Sequence, residues 1–282
     1  MSDKSKLLTP YEIYQQNPEI FDQVNDRDAR IVLNGKRHYH NPFGTKPTPS
    51  VTTLISETAS EANKKKLEMW SKNNPGVKEA AAERGTAIHS CMEMYLKKEE
   101  VNVPPEYSDF WTGMEPMLDQ FEEVIWAETP LYDQHQYCLS SDEVGRVWGR
   151  DNDGYSWVGS PDIIGVANGK LTLADLKTSA KPYCRWWPKD LEKGSLEWRN
   201  RLGGYMKFNK CCLQLGAYAL GIEQTLNMKV QQAAILVSTP EGTQLFKITR
   251  NHLNSAQDKW LKVVNEYYTS PDRDEVYDRD LI

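Results

Sequence analysis

Val158-Gly159-Ser160-Pro161-Asp162-Ile163-Ile164-Gly165-Val166 and, a few residues on, Leu171-Thr172-Leu173-Ala174-Asp175-Leu176-Lys177-Thr178-Ser179 decide how this chain folds. Each holds a short apolar run, and Gly165-Val166-Ala167-Asn168-Gly169 is a turn signal between them, so the pair reads as a β-hairpin. Asp162 opens the first run and Asp175 closes the second, which brings two carboxylates together across neighbouring strands. Side chains alternate along a strand, so Asp175 and Lys177 share a face while Leu176 turns into the core. Two carboxylates a few Å apart are hard oxygen donors of the kind that hold Mg²⁺ or Mn²⁺, ions that keep several waters and can bridge to a phosphate oxygen. A lysine ammonium beside a metal-bound water can orient or deprotonate it, and can offset charge building on a phosphate. A lone Asp-x-Lys on a strand is common, because exposed strands often carry opposite charges on one face. Its weight here comes from what surrounds it.

Downstream, Gln214-Leu215-Gly216-Ala217-Tyr218 places Gln214 and Tyr218 four apart, on one face of a helix. Upstream, Ala80-Ala81-Ala82-Glu83-Arg84-Gly85-Thr86-Ala87-Ile88-His89 is strongly helix-forming and carries a Gly-x-x-x-His. Each has an ordinary reading as well: His89 as a satisfied core or surface histidine, and Gln214 and Tyr218 as helix residues beside the apolar stripe of Leu213, Ala217 and Leu220.

Taken in order, His89, Pro161-Asp162, Asp175-Leu176-Lys177 and the Gln-x-x-x-Tyr helix resemble the P-D-(D/E)-X-K nuclease superfamily, and within it the RecB-like exonuclease branch. The likeness extends to the mitochondrial genome maintenance exonuclease family and its phage and bacterial relatives. It rests also on Pro49-Ser50-Val51-Thr52 and Thr178-Ser179-Ala180-Lys181-Pro182, and runs from about Pro49 to Tyr268. The resemblance implies that His89, Asp162, Asp175 and the main-chain carbonyl of Leu176 hold the metal, and that Lys177 positions the attacking water. It further implies that Gln214 steadies Lys177 or the phosphate, and that Tyr218 lines the same wall.

The chain has 282 residues, a net charge of −6 and five cysteines. The negative total does not exclude a nucleic acid, since a strand needs only a local basic stripe. Thr178 to Lys210 holds eight basic residues against three acidic ones, interleaved with Tyr183, Trp186, Trp187, Trp198, Tyr205 and Phe208. Basic groups follow a phosphate backbone and aromatic faces stack on unpaired bases, a composition that favours single-stranded DNA. Lys181, Arg185, Trp186, Trp187, Arg199 and Arg201 are the candidate contacts. The same aromatics would equally pin a long insertion onto the core. The cysteines, among them adjacent Cys211-Cys212, form no Cys-x-x-Cys, so neither a disulfide scaffold, a structural zinc nor a four-cysteine iron–sulfur cluster is expected. Reduced thiols fit a cytoplasmic compartment. No apolar run approaches the ~20 residues of a membrane span. Met1 to Lys6 is polar with no apolar run after it, so no secretory signal is expected.

Residues 1–130 are expected to be mostly helical: a short helix around Pro10–Asn17, helices after Ser50, one over Glu61–Lys72, the His89 helix, and a stretch from Ser108 to Ala127. A hairpin turning at Asn34-Gly35 interrupts them. Residues 131–270 form the nuclease-like core, with strands near 135–140, 155–166, 170–177, 231–238 and 242–248, the basic and aromatic insert 178–210, and a closing helix from Arg250 to Tyr268. Glu128 is a further acidic group on the strand before the hairpin, or simply a solvated one. The acidic tail 271–282 is a candidate docking segment for a protein partner. The expectation is an α/β fold, a mixed central sheet flanked by helices with a restriction-endonuclease-like core and an N-terminal helical addition. Its expected chemistry is Mg²⁺- or Mn²⁺-dependent exonucleolytic hydrolysis of DNA in replication, recombination or repair, with a preference for single strands. A structure-specific endonuclease, a non-catalytic DNA-binding scaffold and an RNA substrate remain alternatives.

Overall fold

The computed structural model describes residues 30–33, 35–39, 47–127, 129–132, 137–138, 147–225 and 228–270. The expected helix at Pro10–Asn17, Glu128 and the acidic tail lie outside them. In chain order the elements are β1 (Arg30–Leu33), β2 (Lys36–Tyr39), β3 (Thr48–Pro49), α1 (Val51–Glu57), α2 (Glu61–Asn73), α3 (Val77–Leu96), α4 (Ser108–Trp111) and α5 (Glu115–Leu118). Then come β4 (Glu123–Ala127), β5 (Thr129–Tyr132), β6 (Tyr137–Cys138), β7 (Val147–Arg150), β8 (Ser156–Gly159), β9 (Ile163–Ala167), β10 (Lys170–Thr178), α6 (Leu196–Thr225), β11 (Gln232–Thr239), β12 (Gly242–Thr249) and α7 (Arg250–Thr269).

The fold is a mixed α/β one. A central sheet in the order β12-β11-β10-β9-β4-β5-β6 has β10 and β11 parallel and its other pairs antiparallel. A parallel pair needs a crossover connection, and here α6 supplies it. β10 is the longest strand and runs near the middle, with neighbours on both edges. Both faces of the sheet are covered. Leu171 and Leu173 of β10 pack with Leu215 and Ala219 of α6 and Leu253 and Trp260 of α7, whereas Ala174 and Leu176 pack with Ile88 and Met92 of α3 and with Phe110 and Met114. Burial on both faces explains why this strand reads as a nearly continuous apolar run.

The hairpin forms as the sequence indicates, but with a tighter turn. Ala167 pairs with Lys170, leaving Asn168-Gly169 as a two-residue loop with φ of 53° and 65°. Positive φ at both centres is the type I′ arrangement that matches strand twist and favours Asn-Gly. Gly165 to Ala167 therefore belong to β9.

Three expectations are corrected. The stretch Ser108–Ala127 is not one helix: Gly113 takes a φ of 77°, Pro116 sits in the first turn of α5, and Glu123–Ala127 is a strand paired with β9. Val124, Ile125 and Trp126 are β-branched and aromatic residues that fit a pleated, buried surface better than a helix. The expected strand 155–166 is two strands, because Pro161 has no N–H to continue a ladder. β8 pairs with β7 in a separate two-stranded sheet while β9 joins the central one. The stretch 178–210 is not a separate insert throughout, since α6 begins at Leu196 and continues through Gln214 to Thr225. Ser195 starts it, its hydroxyl accepting from the Trp198 amide at 3.1 Å.

Candidate active site

Three layers of the fold meet at the C-terminal half of β10. β10 contributes Asp175 and Lys177, the residue just before β9 is Asp162, α3 contributes His89, and α6 contributes Gln214 and Tyr218. Period-two alternation puts Asp175 and Lys177 on the α6 side and Leu176 on the α3 side. Because helices cover both sides, Asp175 is as enclosed as Leu176, each with 0% exposure.

Asp162 is fixed from two directions. Its Oδ2 accepts from the Leu176 amide at 2.6 Å, and the preceding carbonyl, that of Pro161, accepts from the buried Trp126 indole at 2.9 Å. His89 Nδ1 lies 3.8 Å from Asp162 Oδ1. Lys177 Nζ lies 2.6 Å from Asp175 Oδ2 and donates to the Leu176 carbonyl at 3.2 Å. Lys177 is the positive group against Asp175, and among the described residues no backbone amide or other side chain donates to either of its carboxylate oxygens. On the opposite wall Gln214 Nε2 donates to the Tyr218 hydroxyl at 2.6 Å, and the Cδ1–Cε1 side of the Tyr218 ring lies against Gly159, where no side chain intervenes.

Burial pushes the Asp175 carboxyl up to about 6, the charge of Lys177 pulling against it and that of Asp162 adding to it. Burial works against the Lys177 ammonium as well, yet Asp175 and Asp162 together hold it well above its ordinary value, so it is a cation at neutral pH. Burial, followed by the charge of Asp175, raises Tyr218 far enough that it remains a neutral phenol.

A hard cation suits this donor set. An enclosed carboxylate is costly unless positive charge answers it. Two aspartates against one lysine leave an excess of negative charge, and the Leu176 carbonyl faces the same space. Among the described residues no three His, Cys, Asp or Glu side chains already surround one point; the Lys177 ammonium is what now stands against Asp175.

No known family matches the chain, and no curated protein does. Among solved structures, one from Eubacterium rectale named "Putative exonuclease" covers 65% of this chain and 68% of its own, at 15% identity and a TM-score of 0.33. Likeness of that size fixes neither chemistry nor substrate.

The candidate nucleic-acid contacts divide by what they touch. Trp186 is 74% exposed and Trp187 51%, but the Trp187 ring also meets Trp198 and Tyr205 edge-on, with centroids 6.4 and 5.6 Å away. Lys181 Nζ donates to Asn200 Oδ1 at 2.7 Å. Arg185 donates to the Lys247 carbonyl at 2.6 Å, near the Phe208 and Phe246 rings, which makes it an internal fastener. Arg199 donates to the Gly194 carbonyl, and Arg201 pairs with Glu197 one helical turn away. The sequence does not single out Trp126, whose neighbourhood has a helical-looking pattern, nor Arg84 and Lys207. The available signals were the β-branched neighbours of Trp126 and the position of Arg84 directly before Gly85.

Proposed function

We propose that this chain is a divalent-metal-dependent nuclease that hydrolyses DNA from an end and prefers single strands. The observation that carries the reading is Asp175: a wholly enclosed carboxylate, two residues before the lysine whose ammonium meets it and beside a second aspartate. Asp162, Asp175, the Leu176 carbonyl and His89 are the groups proposed to hold Mg²⁺ or Mn²⁺. When bound, such an ion supplies Lewis acidity toward a phosphate oxygen and lowers the pKa of a coordinated water. Lys177, no longer needed to balance Asp175, orients the attacking water and offsets charge on the phosphate. Gln214 and Tyr218 act as one hydrogen-bonded unit that walls the lysine side of the site. The Trp126 bond to the Pro161 carbonyl fixes the approach of Asp162. The preference for single strands rests on the exposed Trp186 and Trp187 faces, which suit unpaired bases.

The test compares wild-type protein with Lys177→Ala on an end-labelled linear oligonucleotide and on circular single-stranded DNA, each with Mg²⁺, Mn²⁺ or EDTA. Metal-dependent loss of the linear substrate alone, abolished by the substitution, is the expected result. Cutting of the circle would reassign the chain to endonucleases. Binding without cutting under every metal would leave a DNA-binding scaffold.

A further inference from the structure

Just beyond Lys177, Arg84, Lys207 and Lys181 flank Thr178 and Ser179 at the end of β10. Arg84 lies on α3, one residue before Gly85, where the helix comes close to the end of β10: a Cβ at Gly85 would sit 3.7 Å from Thr178 Oγ1. The Arg84 guanidinium stacks over the Phe110 ring at 4.5 Å, and its Nε is buried without a hydrogen-bond partner. Lys207 comes from α6. Its Nζ donates to Ser179 Oγ at 3.0 Å and lies 5.6 Å from the centre of the Tyr183 ring. Lys181 is the third, and its backbone amide approaches the same Ser179 hydroxyl. Among the described residues none of the three makes an ion pair with a carboxylate. Burial, then the charges of Arg84 and Lys181, depress the Lys207 ammonium below its ordinary value.

We propose that Arg84 and Lys207 form a phosphate subsite that receives the backbone phosphate next to the one cleaved, with Ser179 positioning Lys207. The subsite rests on the nuclease reading and extends it. Like charges held together without a counter-ion are relieved by an arriving anion. Ser179 lies two residues past Lys177, about 7 Å along the strand, comparable to the separation of consecutive phosphates in an extended nucleic-acid strand. A guanidinium offers a planar fork to two phosphate oxygens and an ammonium a point charge, so the pair suits a singly charged diester. Carbon atoms of Phe110 and Tyr183 keep water from the back of both cations and strengthen their attraction for an anion.

The experiment is anisotropy binding of a fluorescein-labelled single-stranded oligonucleotide to protein carrying Lys177→Ala, which separates binding from hydrolysis. Arg84→Gln and Lys207→Gln should each weaken binding about tenfold, the expected size for one charge-assisted hydrogen bond. Each should flatten the slope of log affinity against log salt by about 0.7. Lys207→Arg should keep most of the affinity, and unchanged melting temperatures would show that the fold is intact. A single uncharged methylphosphonate linkage is then moved along the oligonucleotide. At one position wild-type side chains should lose as much as the substitutions do, and the doubly substituted protein should lose nothing more.

Affinity within twofold of the parent for both Gln variants, or losses that add at every linkage position, would overturn the subsite. Wild-type cleavage is followed in parallel. A cleaving enzyme whose Arg84 and Lys207 variants bind normally removes the subsite and leaves the nuclease reading. Arg84- and Lys207-dependent binding by a protein that cleaves nothing removes the nuclease reading and keeps the subsite as a nucleic-acid contact.

Discussion

Gly159→Ala should damage the fold and the candidate site together. A Cβ at this position would lie 2.2 Å from Tyr218 Cε1, 2.7 Å from its Cδ1 and 3.2 Å from Val51 Cγ2. Carbon atoms prefer about 3.5–4.0 Å, so the ring must retreat by more than 1 Å. It has nowhere to go, since Tyr218 is buried and its hydroxyl is held by Gln214. Reducing chain entropy by replacing glycine with alanine gains roughly 0.4–1 kcal/mol where the backbone tolerates it, whereas forced overpacking costs typically about 1–3 kcal/mol. Overpacking wins, and the expected loss is about 1–2 kcal/mol. Urea denaturation reads this as a lower midpoint at constant m. Tyr218→Ala removes the obstructing ring, so adding Gly159→Ala in that background should cost little, and the double-mutant cycle should return a coupling close to the whole single-variant loss. An equal penalty in both backgrounds would refute the packing account. Metal-dependent cleavage should fall in Gly159→Ala as well, because the displaced ring carries Gln214 with it.

Asp175 gives a pH signature in metal-free protein. Its carboxyl is raised from 3.8 to about 6, so well below 3.8 it is protonated in both folded and unfolded chains and costs nothing. Between about 4 and 6 the unfolded chain ionises first, and stability drains away as pH rises, by an amount on the order of 3 kcal/mol once fully ionised. In EDTA, Asp175→Asn should therefore gain on wild type from pH 4 to pH 7, and a gap that stays level or narrows would contradict burial as the cause. Trp186→Ala should weaken single-strand affinity by about 1–3 kcal/mol and leave the melting temperature alone. Trp187→Ala should lower both, since its ring also packs on Trp198 and Tyr205. Turnover of bound substrate that collapses while affinity holds would show that neither indole is a stacking platform.

The hairpin was legible because its signals are local. Alternation, an Asn-Gly turn and apolar runs all act within a few residues, and so Asp175, Lys177 and Leu176 fall on the faces that their spacing dictates. The closing helix from Arg250 was legible for the same reason. What the sequence hid depends on distant partners. Glu123–Ala127 continues a helical-looking apolar pattern and becomes a strand only because β9 offers it an edge. Pro161 belongs to the Pro-Asp pattern, yet it also separates β8, in one sheet, from β9, in another. Arg185, Arg199 and Arg201 look alike in a list of charges, yet each is taken up by a group of the chain itself. Arg84 and Lys207 stand 123 positions apart, and only because α3 and α6 flank the same strand do they come to its same end, at Thr178 and Ser179.

The placement of Asp175, Leu176 and Lys177 on β10 also bears on how the protein fails. Amides in a strand hydrogen-bonded along both edges and roofed by helices on both faces open only when the whole structure opens. Function and architecture should then disappear in one event, and no early, partly folded form should linger that has lost its chemistry while keeping its shape. Heat inactivation and loss of the circular-dichroism signal should trace a single curve.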